Sequence, residues 1–290
     1  MTELLGMALM FVLAVALAIP LGKYIAKVYQ GEKTLLDKAF NPFERLIFKL
    51  AGIDPKLEMT WKENLKALLT LNFLWFFFAM CILMCQGYLP LNPDGNPNMS
   101  PDLAFNTAIS FLVNCNLQHY SGETGLSYLS QIVVIMFLQF VTAGTGMAAA
   151  AVVFNAMKNR TTDKLGNFYD YFLKSCTRIL LPISMVVALI LVFNGTPMTF
   201  EGKEAIVTMQ GDSVEVSRGP AAAMVAIKQV GTNGGGFFGV NSAHPLENPS
   251  YFTNVVENVM IILIPIAMVF ALGHYLKRKR LSWMIFGVMT

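Results

Sequence analysis

A run of glycines marks the second half of this chain, where residues 231–236 have the order Gly-Thr-Asn-Gly-Gly-Gly. Three consecutive glycines do not suit the interior of a helix or strand, because glycine loses the most backbone freedom on folding. The run lies between two segments long enough to cross a membrane, where irregular backbone is tolerated only if it is buried in protein or lines a water-filled cavity. Backbone carbonyls in such a loop can replace the hydration shell of an ion, so we predict an ion-selectivity loop.

A second loop matches the first in spacing and context. Residues 108–116 (Ala-Ile-Ser-Phe-Leu-Val-Asn-Cys-Asn) align without a gap with residues 226–234 (Ala-Ile-Lys-Gln-Val-Gly-Thr-Asn-Gly). Pro101 and Pro220 precede the two loops, and proline suits the first turn of a helix. About ten helical residues span about 15 Å, which is half of a bilayer. Each unit is therefore predicted to be a short re-entrant helix whose C-terminal dipole favours a cation at the loop.

The composition is that of an integral membrane protein. Hydrophobic residues make up 55% of the sequence and charged residues 13%, whereas a soluble domain has about 25% charged residues. Cys81 and Cys85 are four residues apart on an apolar segment, and we predict them to be buried apolar side chains rather than a redox or metal pair. A G-x-G-x-x-G match at 234–239 lacks the flanking strand and helix that a dinucleotide site needs. We expect no cofactor and no metal beyond a transported ion.

Five apolar segments are long enough to span a bilayer, and a sixth apolar run follows them. The segments are Leu4–Gly22, Ala67–Gln86, Ser127–Met157, Phe172–Phe193, Val255–Leu276 and the short run Leu281–Thr290. Residues 206–216 alternate around Gly-Asp and predict a small β-hairpin. The predicted fold is an all-α membrane protein: an N-terminal span and amphipathic linker (1–58), two span–pore helix–span repeats (59–157 and 158–280) and the start of a truncated sixth span (281–290).

The distribution of basic residues predicts the topology. The connections 23–66, 158–178 and 277–280 carry nine, five and four Lys or Arg residues, whereas 87–131 and 194–250 carry none and three. The positive-inside rule then places the N-terminus, both loops and the hairpin on the extracytoplasmic side. Residues 41–50 favour either a helix on the membrane surface or a solvated connector. Glu123 and Glu247 follow the two loops and are either outer-mouth acids that attract cations or structural acids.

Several motifs together resemble the KdpA family, the potassium-binding subunits of potassium-transporting ATPases, within the superfamily of potassium channels and transporters. The matching stretches are 59–62, 89–93, 114–118, 120–124, 126–128, 231–238 and 241–249, and the similarity runs along all 290 residues. The resemblance implies a bacterial inner-membrane protein that selects potassium and passes it to a pump without hydrolysing ATP itself. It also implies three partners: a P-type ATPase subunit (KdpB-like), a single-span subunit (KdpC-like) and a small membrane peptide (KdpF-like).

The resemblance also assigns roles to individual residues. The implied filter positions are Asn114, Cys115, Asn116, Thr232, Asn233 and Gly234. Gln118 is expected to tune potassium affinity by bracing loop backbone, and we expect Gly231, Gly235 and Gly236 to support the filter. The family often has threonine where this chain has Cys115, which matters little because backbone carbonyls would coordinate the ion.

The chain departs from the family in having two repeats where members have four repeats and ten spans. We therefore expect a fragment, with a split gene product or a two-copy pore as the alternatives. Two other functions stay open on the sequence alone. A passive channel or secondary transporter would need the same filter without an ATPase. A membrane scaffold would use the glycines only for close helix packing, which does not account for the matched loops.

Overall fold

The regular secondary structure of this chain is almost entirely helical. A computed structural model describes residues 2–159, 161–207 and 209–290. Its α-helices are α1 Thr2–Tyr29, α2 Asp37–Ala51, α3 Trp61–Cys85, α4 Pro101–Leu112, α5 Gly122–Gly125, α6 Tyr128–Ser130, α7 Phe137–Lys158, α8 Phe168–Lys174, α9 Leu181–Phe193, α10 Ala221–Val230, α11 Tyr251–Tyr275 and α12 Lys279–Met289. The π-helical segments Gln131–Met136 and Ser175–Leu180 connect α6 to α7 and α8 to α9 without interruption.

Five helical segments within the described residues are long and apolar enough to cross a membrane. They are Leu4–Tyr29, Trp61–Tyr88, Tyr128–Lys158, Phe168–Phe193 and Tyr251–Tyr275. The five predicted spans are therefore confirmed as helices. Their ends differ from the predicted bounds because hydropathy detects only the apolar part of a helix, whereas backbone hydrogen bonding continues into polar turns. Arg160, which was counted among the basic residues between the third and fourth spans, lies outside the described residues.

The predicted hairpin is confirmed as two antiparallel strands, β1 Glu204–Val207 and β2 Ser213–Val216. Gly211 lies in the connecting turn with a φ of 92°, a left-handed value that glycine adopts without a steric penalty. Thr208, which belongs to the predicted hairpin, lies outside the described residues.

The prediction that Cys81 and Cys85 are buried is wrong. Both side chains are exposed on α3. Lipid tails are as apolar as a protein core, so an apolar residue on a spanning helix gains little from burial against protein. Hydropathy therefore predicted the helix but not the face of the helix that packs inside.

The described residues form two compact units. One contains the chain up to Leu71 with Ala143–Ile183 and Asn258–Thr290, and the other contains Asn72–Thr142 and Ser184–Glu257. The second unit holds α4 and α10 together with the loops that follow them. All twelve residues proposed for the site from the sequence therefore belong to this one unit.

In the first unit, α2 is held by a buried arginine from the fourth span. Arg178 donates from Nε to Glu44 Oε1 (2.8 Å) and from Nη1 to Asp37 Oδ1 (2.7 Å), and its Nη2 contacts Glu44 Oε2. Thr177 Oγ1 also donates to Glu44 Oε1 (2.6 Å). Of the two alternatives given for residues 41–50, the structure has a helix rather than an irregular connector. The helix begins earlier, at Asp37, whose carboxylate accepts hydrogen bonds from the backbone N–H (3.0 Å) and the hydroxyl (2.6 Å) of Thr34.

These contacts lower the pKa values of both carboxyls. Burial alone raises the pKa of Glu44, but the hydrogen bonds from Arg178 and Thr177 more than offset it and leave the pKa below its ordinary value of 4.5. The pKa of Asp37 is lowered chiefly by the hydrogen bond from the Thr34 hydroxyl. The charged forms of both groups are therefore the ones that stabilise the docked helix.

We expect Glu44→Ala to destabilise the protein by about 3 kcal/mol, because the buried Arg178 guanidinium loses its contacts with Glu44 and keeps only Asp37 as a counter-charge. The exposed Glu32→Ala should change stability by no more than about 0.5 kcal/mol. The measurement is the free energy of unfolding in mixed detergent micelles.

The contact between Glu44 and Arg178 also predicts a pH dependence of the protein's stability. Because the folded pKa of Glu44 lies below its unfolded value, the stability that it contributes is present above about pH 4.5 and is lost as the pH falls through the folded pKa. The difference between the wild type and Glu44→Gln should therefore shrink on acidification. A difference that stays constant down to about pH 3 would contradict this account.

Candidate functional site

The helices α4 and α10 end in the same hydrogen-bond pattern. In each, three successive backbone N–H groups fold back onto the last turn of the helix. After α4, the N–H groups of Val113, Asn114 and Cys115 donate to the carbonyls of Ile109 (3.0 Å), Phe111 (3.4 Å) and Ser110 (3.1 Å). After α10, those of the aligned residues Gly231, Thr232 and Asn233 donate to Ile227 (2.7 Å), Gln229 (3.1 Å) and Lys228 (2.8 Å). The alignment made on sequence therefore corresponds to a repeated backbone geometry.

The two loops also share an alternation of backbone handedness. Asn114 and Asn116 have φ values of 62° and 52°, and the matched positions Thr232 and Gly234 have values of 60° and 87°. Such left-handed conformations are rare for residues other than glycine, asparagine and aspartate, so Thr232 marks a strained position. The residue between each pair, Cys115 or Asn233, has a negative φ, so the sign of φ alternates along each loop. Such alternation tends to turn successive peptide groups the same way, with N–H groups on one side of the backbone and carbonyls on the other.

Several of these carbonyls are not used by the protein. Within the described residues, the backbone oxygens of Asn114, Cys115, Asn116 and Thr232 accept no hydrogen bond. Of these four residues, Asn116 is buried, Asn114 and Thr232 are half-buried and Cys115 is exposed. A buried carbonyl without a partner costs free energy. These oxygens therefore have the chemistry of ligands for a cation that has lost its water shell.

Side-chain amides of the first loop hold the backbone of the second. Asn116 Nδ2 donates to the carbonyl of Asn233 at 2.9 Å, and the side chain of Asn233 donates to that of Asn114. Gln118 makes two bonds to one residue: its Nε2 donates to the Gly236 carbonyl (3.0 Å) and its Oε1 accepts from the Gly236 N–H (2.9 Å). The loop that Gln118 braces is therefore the second one, not its own.

Two glutamines of the third span complete this bracing, and the sequence analysis missed both. Gln139 Nε2 donates to the carbonyl of Gly235 at 2.8 Å, and Gln131 Nε2 donates to that of Phe237 at 3.0 Å. Both side chains are buried. Polar side chains inside a spanning segment are costly and mark functional positions, and that signal was available in the sequence.

A buried ion pair supports the second loop from behind. Lys228 on α10 contacts Glu247, and both residues have an exposed fraction of 0%. Glu247 Oε1 also accepts the backbone N–H of Phe238 at 2.8 Å. This position fits the structural alternative for Glu247 rather than the outer-mouth alternative. Lys228 was not identified from the sequence.

Glu123 has a different environment. Its side chain is 31% exposed, and Oε1 lies 3.7 Å from His244 Nε2. The His244 ring stacks on Phe238 with centroids 4.1 Å apart. A partly exposed carboxylate on the same unit as the loops is compatible with both roles considered for it, attraction of cations and structural support.

The glycines of the second loop are required for two different reasons. A Cβ at Gly236 would collide with the Gly239 carbonyl and the Glu247 carboxylate, and one at Gly235 would lie 2.8 Å from Asn116 Cβ. Gly234 has room, because its Cβ would meet nothing closer than 3.9 Å, but its φ of 87° disfavours any side chain. Close packing thus demands glycine at 235 and 236, and backbone conformation demands it at 234.

This chain is similar in sequence to known proteins. The family model described as "KdpA: Potassium-transporting ATPase A subunit" matches residues 8–290. Three curated relatives, each named "Potassium-transporting ATPase potassium-binding subunit", align over 97% or more of this chain and 50% of their own length. They come from Flavobacterium johnsoniae (70% identical over 289 residues), Bacteroides thetaiotaomicron (60% over 288) and Alicyclobacillus acidocaldarius (45% over 282). The chain thus spans about half the length of the relatives it matches.

The buried ion pair gives a prediction about stability. Glu247→Leu leaves the Lys228 ammonium without a counter-charge in the interior, so we expect a loss of about 3–5 kcal/mol in the free energy of unfolding. The double variant Lys228→Met/Glu247→Leu should lose clearly less than the sum of the two single changes, because it strands no charge. Glu123→Leu is the matched control, since that carboxylate is partly exposed. Additive losses in the double variant would show that the two charges are independent.

Proposed function

This chain belongs to the KdpA family of potassium-transporting ATPase A subunits, and we propose that it binds and translocates potassium in a bacterial high-affinity, ATP-driven uptake complex. Five membrane-capable helices within the described residues and the family make it a multi-pass membrane protein. The proposed location is the inner membrane, with the N-terminus, the loops and the hairpin on the extracytoplasmic side. The Lys and Arg distribution supports that orientation.

The observation that carries the proposal is the matched alternation of left-handed residues in the two loops. It supports coordination by backbone carbonyls, which replace the water around a potassium ion. The proposed filter residues are Asn114, Cys115, Asn116, Thr232, Asn233 and Gly234. Gln118, Gly231, Gly235 and Gly236 support them, and Glu123 is the proposed acid of the outer mouth.

The proposed membrane arrangement follows from helix lengths. At about 1.5 Å per residue, α4 and α10 reach about 18 and 15 Å, roughly half of a bilayer core. Each would enter from the outer side and deliver its loop to mid-membrane, where the C-terminal end of the helix dipole favours a cation. The repeats are proposed to be residues 59–157 and 158–280, and α12 is proposed to enter the membrane as part of a sixth span.

We propose that hydrolysis of ATP takes place on a partner subunit. The names of the relatives, which describe a potassium-binding subunit of an ATPase, support that division. A P-type ATPase subunit, a single-span subunit and a small membrane peptide are the proposed partners.

The test is to graft this chain into the Flavobacterium johnsoniae relative in place of its matching half, and to measure potassium uptake in cells that lack other uptake systems.

Uptake by the grafted protein should require an active ATPase subunit. Uptake that persists with a catalytically dead ATPase would favour the passive channel or secondary transporter. Absence of uptake together with normal assembly would favour the scaffold.

Gly234→Ala in the grafted protein should raise the potassium concentration for half-maximal uptake about tenfold. The reason is that a left-handed conformation costs a residue with a side chain about 1–2 kcal/mol. Gly239→Ala is the matched control, because Gly239 is extended, with φ of 178°, and a Cβ there meets nothing within 4 Å. If the potassium concentration for half-maximal uptake is the same in the two variants, the left-handed conformation of Gly234 is not important for potassium binding.

Gln118→Leu removes both hydrogen bonds to Gly236 at nearly constant volume, so apparent potassium affinity should fall about tenfold. Gln118→Glu keeps the acceptor for the Gly236 N–H and loses only the donor, so it should fall between the wild type and the leucine variant. His119→Leu, at the exposed neighbouring residue, is the control. If the potassium concentration for half-maximal uptake in Gln118→Leu equals that of the control, Gln118 does not contribute to potassium affinity.

A further inference from the structure

A cleft with basic walls lies in the first unit, between α1, α11 and α12. It has a volume of about 330 Å³, and its lining includes Lys23, His274 and Lys279 together with the rings of Phe270 and Trp283. A second recess of about 660 Å³ shares His274 and Lys279 and is lined by the basic run 277–280. We call the smaller of the two the basic cleft. Its volume falls in the range of roughly 300–1,000 Å³ typical of ligand pockets.

Close packing of the three helices builds this cleft. A Cβ at Gly22 on α1 would lie 2.6 Å from the Ala267 carbonyl of α11, so the two helices approach as closely as glycine allows. Gly273 on α11 is similarly packed against Ser282 on α12. The Phe270 and Trp283 rings meet edge to face, with centroids 5.0 Å apart. The walls are therefore fixed by contacts on all three helices.

Within the part of the chain that the structure describes, no carboxylate compensates the charge of the basic cleft. Among the described residues, no aspartate or glutamate lines either cavity, and the basic side chains that line them make no ion pair. Clustered cations without counter-charges raise one another's electrostatic energy and favour an anionic ligand. The first turn of α12, which begins at Lys279, adds the positive end of a helix dipole to the same wall.

The basic cleft also lies where apolar chain gives way to polar chain. Residues 4–22 of α1 carry no charge, and Lys23 is the first basic residue after them. The spanning part of α11 ends at Tyr275, next to the basic run. Aromatic rings such as that of Trp283, which is 51% exposed, favour the same interfacial depth. The lining thus offers cations to a headgroup and rings to the adjoining glycerol and acyl chains.

We propose that the basic cleft binds the phosphate of an anionic phospholipid. Lys23 and Lys279 contact the phosphate, and Trp283 packs against the lipid backbone. Basic pockets between spanning helices are known to suit anionic headgroups on the cytoplasmic side, which is the side that the proposed topology gives to these residues. The inference depends only on the chain spanning a membrane, so it stands or falls separately from the proposed potassium filter.

Trp283 supplies the probe for a test. The chain is prepared with Trp61→Phe and Trp75→Phe, so that Trp283 is its only tryptophan, and is reconstituted in phosphatidylcholine vesicles. Increasing fractions of brominated phosphatidylglycerol or brominated phosphatidylcholine are added, since bromine quenches tryptophan fluorescence at short range. We expect quenching by the anionic lipid to saturate at a low mole fraction and to exceed quenching by the neutral lipid at every fraction.

The double variant Lys23→Gln/Lys279→Gln should raise roughly tenfold or more the mole fraction of phosphatidylglycerol at which quenching is half-maximal, because it removes the two ammonium groups proposed to contact the phosphate directly. The matched control Lys33→Gln/Lys49→Gln removes two exposed lysines that do not line the cleft and should leave the fraction unchanged. Equal quenching by the two lipids, or an equal response of the two double variants, would overturn the proposal. Relief of quenching by millimolar inorganic phosphate would identify a site for free phosphate and would also overturn it.

Native mass spectrometry gives a second measurement that needs no tryptophan substitution. The unmodified chain, released from mixed vesicles, should retain phosphatidylglycerol in preference to phosphatidylcholine, and the Lys23→Gln/Lys279→Gln variant should lose that preference. Retention of both lipids in proportion to their abundance would contradict a specific site, whatever the fluorescence result.

Discussion

The constraint on which the candidate site depends is that irregular backbone buried among apolar helices must have its polar groups either hydrogen-bonded or used by a ligand. The two loops meet this constraint in complementary ways. Carbonyls of the second loop, at Asn233, Gly235 and Gly236, accept side-chain amides. Carbonyls of the first loop and of Thr232 accept nothing among the described residues. The braced groups fix the shape of the backbone, and the unbraced carbonyls are available to a ligand, as the proposed function requires.

Buried ion pairs play a related role within each unit. In the second unit, Lys228 and Glu247 join α10 to the segment after the loop, and Glu247 also holds the Phe238 N–H. In the first unit, Arg178 attaches α2 to the fourth span through Glu44. Such pairs contribute little net stability compared with apolar residues, but breaking one is costly. They therefore suit positions where an irregular segment must be held in one geometry against a helix.

Much of this architecture was predictable from particular residues. The spans follow from apolar length alone, and the two short helices follow from Pro101, Pro220 and the matched spacing. The start of α2 was predicted four residues late, because Asn41-Pro42 resembles a helix start while Thr34 and Asp37 supply the hydrogen bonds that form it. Cys81 and Cys85 were assigned to the wrong surface, because hydropathy does not distinguish protein from lipid as the apolar environment.

The five spans, the hairpin and the position of both loops could be predicted from local sequence, because each depends on residues that are close together in the chain. The left-handed conformation of Thr232 was not indicated by its residue type, since glycine and asparagine adopt that conformation most readily. The partners of four polar side chains depend instead on tertiary packing: those of Gln118, Gln131, Gln139 and Glu247. Most of these partners lie about a hundred residues away in sequence. Lys228 is only nineteen residues before Glu247, but the two side chains meet because the chain folds back behind the loop. A polar side chain's partner is set by which helices pack together, and no local pattern encodes that choice.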